Sequence, residues 1–385
     1  MAPAYTNIAV TQPMNEVSDI IVVGAGVAGV SAAFHLAPTA SVTVLEAEDA
    51  PGYHTSGRSA ALFVPSLDGS VVSALVNGSE AFFRSPPDGF ADHALLSPRG
   101  ALTVIGPGEE SALETLVEDD PGGHAIDRPE ALDLCPAMRP EVVVAGYYRP
   151  EILDIDVHGL LQGYLRGFKT AGGRLVTGAR VMSLERRDNL WAVETPAGGF
   201  AAPLVINAAG AWADVIAEMA GIATLGLEPK RRTVINFEAP ATMDCTAFPI
   251  IGDVSDSYYF QPEAGGIMAS LADETPSPPC DAQPDEIDMA MIVDRMQRAT
   301  HLDIPRISHS RAGLRSFFAD RRPVMGMAPD SEGFFWLAGQ GGFGIETSPA
   351  MGRIAAALVQ GEAFSATTDL SGVTADDLRP DRFTT

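Results

Sequence analysis

Basic residues are scarce in this sequence. Its 385 residues include 25 Lys and Arg against 50 Asp and Glu, which gives a formal net charge of −25 at pH 7. A chain with this excess of negative charge is repelled by nucleic acid and by anionic membrane surfaces. We therefore expect a small-molecule substrate and no nucleic-acid partner. Net charge does not identify that molecule, so a local group of basic side chains is the more informative feature.

Cysteine is also rare, and its spacing argues against two kinds of site. Cys135, Cys245 and Cys280 are widely spaced and form no CxxC pair. This pattern disfavours a disulfide framework and a zinc or other metal site. Residues 1–17 contain no Lys or Arg and no apolar run, unlike a signal peptide. We interpret them as a flexible tail and expect a cytoplasmic protein.

The apolar stretch at residues 20–36 falls short of a membrane span. It holds 17 residues, including His35 and three glycines, whereas a spanning helix needs about 20 apolar residues. We therefore expect no membrane span. The pattern instead predicts a buried strand at 20–23, a glycine turn, a helix at 27–36 and a second strand at 41–45 that ends at Glu46.

The glycine turn is typical of a dinucleotide-binding site. Gly24 permits the tight turn, Gly26 lets the backbone approach a pyrophosphate, and Gly29 lets the helix pack closely on the sheet. The N–H groups and the positive dipole end of the helix can then hold phosphates. Glu46 can accept hydrogen bonds from ribose hydroxyls. Its negative charge would repel a 2′-phosphate, which argues against NADP.

The length of the chain suggests roughly two to three domains. Turns similar to the first glycine turn recur later in the chain. Small residues form a second strand-to-helix turn at 206–212, and glycines form a third at 339–344. We therefore predict a discontinuous cofactor domain of residues 18–90, 150–222 and 320–385, and a mostly β second domain of residues 91–149 and 223–319. Further helices are predicted at 71–84, 109–120, 156–170, 286–300 and 347–359, and strands flank a turn at 98–100.

Four motifs resemble those of one known family. They are GYHTSGRSAA at 52–61, NAAGAW at 207–212, AGLRSF at 312–317 and GQGGFGI at 339–345. Together they resemble the FAD-dependent D-amino acid oxidases and dehydrogenases, with the greatest similarity to bacterial D-arginine dehydrogenases. The resemblance runs from Asp19 nearly to the C-terminus. It implies an α/β fold, in which a glutathione-reductase-type, Rossmann-like FAD domain carries an inserted α+β substrate domain of mostly antiparallel sheet.

The resemblance also implies which residues contact FAD. The adenine end is expected at Val181 and the isoalloxazine end at 341–346. FAD is expected to be non-covalent, because Cys245 and Cys280 do not resemble the cysteine that some relatives bond to flavin. His54 can act as a base or, more simply, order its loop. The implied cofactor-binding residues are Gly24, Gly26, Ala28, Gly29, Glu46, Ala47, Thr55, Ser56, Gly57, Arg58, Ser59, Ala60, Ala61, Leu62, Val181, Ala209, Gly210, Gly341, Gly342, Phe343, Gly344, Ile345 and Glu346.

The resemblance places four further residues at the substrate. They are Arg232, Tyr259 and Arg315, at positions that hold the substrate carboxylate, and Gly342, which offers a nearby carbonyl. A carboxylate removed from water needs a charge-assisted partner, and arginine supplies a planar, two-pronged one. Alternation along a strand points only one of Arg231 and Arg232 inward, and Tyr258 competes with Tyr259.

Several positions depart from the arginine-specific relatives. Ala101 stands where they carry the Glu that reads a cationic side chain, and Leu62, Val64 and Leu67 replace His, Thr and Tyr. A buried cation needs a paired charge. We therefore expect an apolar side chain, with D-Leu, D-Met or D-Phe preferred to D-Ala and D-Arg. Glu346 replaces Gln; it can serve as the missing acid or as a favourable charge in the first turn of a helix.

The reaction that the resemblance implies is oxidation of a D-amino acid by hydride transfer to flavin N5. Water then hydrolyses the imino acid to a 2-oxo acid and ammonia. Two other interpretations stay open: a secondary-amine enzyme of the glycine or sarcosine oxidase type, and a non-catalytic FAD-holding subunit of a larger complex. The arginine and tyrosine clamp argues against the latter. The sequence does not determine the electron acceptor or the oligomeric state.

Overall fold

The predicted strand, glycine turn, helix and second strand begin the fold. The computed structural model describes residues 16–65, 70–364, 370 and 372–383. Strand β1 (Glu16–Val17) is followed by β2 (Ile20–Val23), helix α1 (Val27–Leu36) and β3 (Val42–Leu45). β2 and β3 are parallel, and every residue of both is buried. Their β-branched side chains suit strands that are covered on both faces.

Six strands from distant parts of the chain make the central sheet. In spatial order they are β10 (Arg174–Val176), β3, β2, β14 (Leu204–Asn207), β22 (Phe334–Ala338) and β21 (Val324–Met327). Neighbouring strands are parallel except β21 and β22. The carboxyl ends of β2, β3, β14 and β22 therefore lie along one edge. In open α/β sheets, ligands bind outside this edge.

Helices cover one face of the central sheet, and a smaller sheet covers the other. Helix α1 shares a core with α6 (Val157–Thr170) and α9 (Gly344–Val359). As predicted, Asp156 caps α6, and its carboxylate accepts a hydrogen bond from the Gly159 N–H at 2.8 Å. The opposite face carries helix α7 (Ala213–Met219) and a sheet of β1, β13 (Gly198–Ala202), β12 (Leu190–Thr195) and β11 (Ser183–Arg187).

Nine mostly antiparallel strands make the second sheet. They are β19 (Thr275–Pro276), β20 (His309–Phe317), β15 (Glu228–Glu238), β18 (Gly266–Ser270), β17 (Tyr259–Glu263), β16 (Ile250–Asp253), β6 (Ala101–Ile105), β8 (Ala145–Arg149) and β7 (His124–Asp127). Helix α8 (Glu286–Ala299) buries Ile292 and Met296 in the core beneath it. The predicted combination of a Rossmann-like α/β layer and a mostly antiparallel sheet is confirmed.

The remaining α-helices and strands of the described residues are short. They are the helices α2 (Val71–Asn77), α3 (Glu80–Arg84), α4 (Glu110–Asp119) and α5 (Arg128–Leu134), and a three-stranded sheet of β4 (Leu62–Phe63), β9 (Leu153–Ile155) and β5 (Leu96–Pro98). Within the described ranges, no helix is both long and apolar enough to cross a membrane.

Three predictions from the sequence differ from the structure. The single helix predicted at 71–84 is divided in two, because α2 ends at its C-cap Gly78 and α3 begins after Ser79. β5 pairs with β9 rather than with β6 across the predicted turn, so this strand leaves the second sheet. The end of the predicted tail is ordered, since β1 pairs with β13. Residues 1–15 lie outside the described ranges.

Candidate active site

A cavity of about 280 Å³ lies at the carboxyl edge of the central sheet. It is lined by the ends of β2, β3 and β14, by the loop after β3 and by the glycine turn before α9. We call it the long cleft. The predicted cofactor-binding residues that it brings together are Gly24, Gly26, Ala28, Glu46, Ala47, Thr55, Ser56, Val181, Ala209, Gly210, Gly341 and Gly344.

Glycine is needed at the three positions of the first turn for different structural reasons. Gly24 has φ +102°, and a Cβ there would come within 2.5 Å of the Ala208 carbonyl oxygen. A Cβ on Gly29 would meet the Gly24 carbonyl oxygen at 2.0 Å. A Cβ on Gly26 would meet only Ser56 Oγ, at 3.4 Å. Gly24 and Gly29 are therefore required by the fold, whereas Gly26 keeps the backbone open toward the cleft.

Polar groups in the long cleft fit a dinucleotide. Glu46 is buried, and its two carboxylate oxygens accept hydrogen bonds from the Ala25 and Glu48 N–H groups at 2.8 and 3.0 Å. Lone pairs remain that can accept from ribose hydroxyls. Ser316 Oγ and Gln340 Nε2 are buried in the wall without a partner among the described residues. A polar cofactor would satisfy these groups, which folded proteins rarely leave unpaired.

The loop after β3 connects the central sheet to the second sheet. Thr55 Oγ1 donates to the Leu314 carbonyl at 2.8 Å. Arg58 donates to the carbonyls of Ala282 and Ala312 and forms an ion pair with Asp281 at 2.5 Å. Its guanidinium is thus used to fasten the loop, a role that the sequence did not indicate.

A second cavity, of about 140 Å³, adjoins the long cleft, and the two share lining residues such as Val27 and Gly341. We call it the arginine pocket. All four predicted substrate residues line it, namely Arg232, Tyr259, Arg315 and Gly342. Arg58, Ser59, Ala60 and Ile345, which were predicted to contact the cofactor, line it as well. The remaining predicted cofactor residues line neither cavity; they are Gly29, Gly57, Ala61, Leu62, Phe343 and Glu346.

Strand alternation decides which residue of each neighbouring pair, Arg231 or Arg232 and Tyr258 or Tyr259, faces the arginine pocket. Arg232 faces the arginine pocket, whereas Arg231 reaches Asp285 and Asp288 near the start of α8, at 3.4 and 3.1 Å. Tyr259 lines the same pocket, whereas Tyr258 is buried in the core of the second sheet. The structure therefore brings Arg232 and Tyr259 together on one face.

Four arginines line the arginine pocket, and each also forms an ion pair with a carboxylate outside its wall, Arg58 with Asp281, Arg232 with Asp273, Arg311 with Glu263 and Arg315 with Glu274. No carboxylate of the described residues lines this pocket. Burial and the neighbouring Arg232 cation lower the pKa of Arg315. Arg315 Nε is buried without a hydrogen-bond partner among the described residues. Arg315 therefore retains a donor for an anionic ligand.

Residues behind the pocket were missed by the sequence analysis. Arg232 donates from Nε and Nη2 to the carbonyls of Asp273 and Ala272, both at 2.8 Å. Arg315 Nη2 donates to Glu274 Oε1 at 2.6 Å. The available signal was the acidic pair that follows the apolar strand at 266–270. Which arginines Asp273 and Glu274 contact depends on the register of the strands, and the register cannot be read from the sequence.

The residues expected to shape a side-chain pocket do not line the arginine pocket. Leu62, Val64 and Ala101 are absent from its walls, and Leu67 lies outside the described residues. Glu346 is 6% exposed and accepts a hydrogen bond from the Val64 N–H at 3.0 Å. Burial raises the pKa of Glu346 to about 8. In the absence of a neighbouring cation, the carboxyl group of Glu346 therefore favours its neutral form.

His54 lies in the long cleft rather than in the arginine pocket. Its Nε2 is 3.1 Å from Glu48 Oε1, and its ring centre is 4.7 Å from that of Trp212. This position favours the loop-ordering role over that of a base.

Comparisons with known proteins concern the family and the fold. A family model described as FAD dependent oxidoreductase matches residues 19–358. Mitochondrial dimethylglycine dehydrogenase of Mus musculus is 26% identical over 65% of this chain and 30% of its own length. Glycine oxidase of Geobacillus kaustophilus is 25% identical over 61% of each chain. Its crystal structure superposes with a TM-score of 0.77, at 21% identity over 94% of this chain and 98% of that chain. The chain thus spans about a third of the length of the mouse relative.

Proposed function

Because the chain belongs to the family of FAD-dependent oxidoreductases, we propose that it oxidises the carbon–nitrogen bond of a small amino acid. The long cleft would hold FAD, with the N-terminus of α1 available to its pyrophosphate and Glu46 to a ribose. The arginine pocket holds the substrate. The observation that carries this proposal is the meeting of Arg232, Arg315 and Tyr259 in a pocket that adjoins the cofactor cleft.

The arginine pocket suits a carboxylate. Burial and the neighbouring Arg232 cation disfavour the charge on Arg315, as the lowered pKa of Arg315 reflects. An incoming carboxylate would offset that repulsion and would accept charge-assisted hydrogen bonds. Tyr259 can donate one more. Together these contacts hold the α carbon against the cofactor, so the residues of the pocket supply orientation.

The chemistry requires little further from the side chains. Bound FAD would supply the acceptor for a hydride from the substrate carbon. The substrate nitrogen loses a proton, and water hydrolyses the resulting imine to a carbonyl compound and an amine or ammonia. Apart from Tyr259, the ionisable groups among the described residues of the pocket wall are arginines. Arginine stays protonated in proteins, so we assign no side chain as the base.

The similar proteins support a small amino acid as substrate. The residues expected to favour an apolar side chain, Leu62, Val64 and Ala101, do not line the arginine pocket. Dimethylglycine dehydrogenase and glycine oxidase are among the similar proteins. We therefore favour glycine and its N-methyl derivatives, the secondary-amine alternative of the sequence analysis.

A D-amino acid with an apolar side chain is the second candidate. Val234 and Ile345 line the arginine pocket and would contact such a side chain. The assembled carboxylate clamp supports either enzyme over a non-catalytic FAD-holding subunit.

The test is anaerobic bleaching of the flavin. We expect glycine, sarcosine or N,N-dimethylglycine to remove the visible absorbance faster than D-Ala, D-Leu or D-Met. The methyl ester of sarcosine should be poor, because it has no carboxylate. Arg315→Ala should resist bleaching by amino acids, yet retain FAD and still be bleached by dithionite. A wild-type protein that dithionite bleaches and no amino acid does would favour the non-catalytic interpretation.

A further inference from the structure

A bulge in the second sheet lies directly beside Arg232. β18 ends with Ser270 opposite Val234, and β19 begins with Thr275 opposite Arg231, all on the same partner strand β15. Four residues, 271–274, therefore face only Arg232 and Thr233. We call this segment the 271–274 bulge. Bulges are frequent next to active sites, where they re-aim side chains.

The backbone of the bulge is bent toward Arg232. Ala272 has φ +57°, in the left-handed region that residues other than glycine rarely adopt. This conformation accompanies the two carbonyl contacts, from Ala272 and Asp273, to Nη2 and Nε of Arg232. The Asp273 carboxylate also accepts from the Thr233 N–H at 3.0 and 3.2 Å, which closes the bulge on the strand. Backbone strain held by such contacts is typical of functional sites.

The last residue of the bulge holds the other arginine. Glu274 Oε1 accepts from Arg315 Nη2 at 2.6 Å. Arg321 donates to both oxygens of Glu274, at 3.0 and 2.8 Å, and Lys230 Nζ lies 3.7 Å away. The hydrogen bond from Arg321, with the charges of Arg315 and Lys230, lowers the pKa of Glu274 to about 2. Glu274 therefore stays anionic and can keep its bond to Arg315 Nη2 while the other donors of Arg315 bind a ligand.

The bulge leaves matching donors free on the two arginines. Arg232 uses Nε and Nη2, and Arg315 uses Nη2, so Nη1 of each has no hydrogen-bond partner within the described ranges. Nη1 of Arg315 lies close to Gly342, where a Cβ would approach it within 3.0 Å. Fixing one part of each guanidinium restricts its rotation before a ligand arrives, which reduces the entropy cost of binding.

We propose that the 271–274 bulge is a positioning element that sets Arg232 and Arg315 for the substrate carboxylate, with Glu274 as its principal residue. This inference rests on the proposed function of the arginine pocket. Alternatively, Glu274 could compete with the substrate carboxylate for Arg315, so that the substrate would have to displace it. The fork of Arg321 on both oxygens of Glu274 favours the positioning role, because it holds the carboxylate independently of Arg315.

Glu274→Gln tests the inference through ligand binding. The probe is acetate, a carboxylate without an amine to oxidise, titrated by the change in flavin absorbance. We expect roughly 10-fold or greater weakening of acetate binding and a similar rise in KM, with a smaller change in kcat. The control is Asp288→Asn, which removes an arginine–carboxylate pair on the opposite face of β15. It should leave acetate affinity and KM unchanged.

Ala272→Gly provides a second test that does not depend on charge. Glycine adopts the left-handed conformation without strain, but it also loosens the bulge. We expect the Tm to stay within a few degrees of wild type while acetate binding weakens. A variant that merely lost folding would instead lose Tm, FAD and binding together.

The outcomes separate this inference from the proposed function. Tighter acetate binding in Glu274→Gln would show competition and overturn the inference. Unchanged binding in both bulge variants would also overturn it, because the bulge would then serve only the fold. If neither acetate nor any amino acid perturbs the wild-type flavin, the proposed function itself fails.

Discussion

The guanidinium carbon of Arg232 lies 5.7 Å from the centre of the Tyr259 ring, across the intervening strand β18. The register explains this proximity. Val234 and Tyr259 both pair with Ser270, so they stand in one row of the sheet. Arg232 precedes Val234 by two residues and therefore shares its face. The same alternation directs Arg231 and Tyr258 to the opposite face.

Arg231 and Arg232 therefore form a matched pair for mutation. Arg232→Gln should lower kcat/KM, because a buried charge partner of the substrate carboxylate is lost. The loss of transition-state stabilisation should be about 2–5 kcal/mol. Arg231→Gln should leave kcat/KM near wild type and lower the Tm, since it loses Asp285 and Asp288. FAD content should be unchanged in both. Equal losses of kcat/KM would contradict the assignment of the two faces.

The two tyrosines provide a similar comparison. Tyr259→Phe removes one hydrogen bond to a charged group, which is worth about 1.5–3 kcal/mol, and should raise KM accordingly. Tyr258 is buried in the core of the second sheet, and burial raises the pKa of its hydroxyl. Tyr258→Phe should therefore leave KM unchanged. Steady-state kinetics with the best substrate decide the matter, and a larger effect at Tyr258 would refute the assignment.

The features of this site that depend on residues close together in the chain could be predicted from the sequence. Gly24, Gly26 and Gly29 were predictable because a turn, a helix start and a close contact each impose a short-range requirement. Strand alternation indicated that only one of Arg231 and Arg232 faces the substrate, although it did not indicate which one. The two cavities needed the fold, because Gly341 and Thr55 meet only when distant segments pack together.

The 271–274 bulge could not be predicted in this way. It arises because β18 and β19 both pair with β15 while the chain between them has two residues in excess. Neither propensity nor spacing displays that mismatch. The same limit explains β5, whose pairing with β9 depends on a partner more than fifty residues away in the chain.

The glycines of the first turn should separate folding from cofactor binding. Gly29→Ala places a Cβ 2.0 Å from the Gly24 carbonyl oxygen, so we expect a loss of both stability and FAD. Gly26→Ala meets Ser56 Oγ at an ordinary 3.4 Å, so the apoprotein should fold with nearly wild-type Tm. Its FAD affinity should nevertheless fall, because the Cβ projects where the pyrophosphate approaches. Full FAD occupancy in Gly26→Ala would show that the pyrophosphate lies elsewhere.

FAD should be released intact from the denatured protein. Cys135, Cys245 and Cys280 do not line the long cleft or the arginine pocket, so none is placed to bond the flavin. After acid or heat treatment, we expect all yellow colour in the supernatant, with the chromatographic mobility of FAD. Flavin that sediments with the chain would contradict this prediction.

Glu346 should make stability depend on pH in a defined direction. Burial raises its pKa from the ordinary 4.5 to about 8 in the folded protein. Between these values the folded chain keeps a proton that the unfolded chain has released. Raising the pH through this window therefore favours unfolding, and the penalty is complete above about pH 8.

Glu346→Gln removes this titration and keeps an oxygen that can accept from the Val64 N–H. Near pH 5, the variant and the wild type should have similar Tm values. At pH 9 the variant should be more stable, by on the order of 3–5 kcal/mol. Thermal unfolding of both proteins, loaded with FAD, from pH 5 to 9 measures the difference. Parallel curves would mean that Glu346 is ionised in the folded protein at pH 7 and that its carboxylate has a partner. In a separate assay, efficient turnover of D-Arg by the wild type that is lost in this variant would show that Glu346 pairs with a cationic substrate.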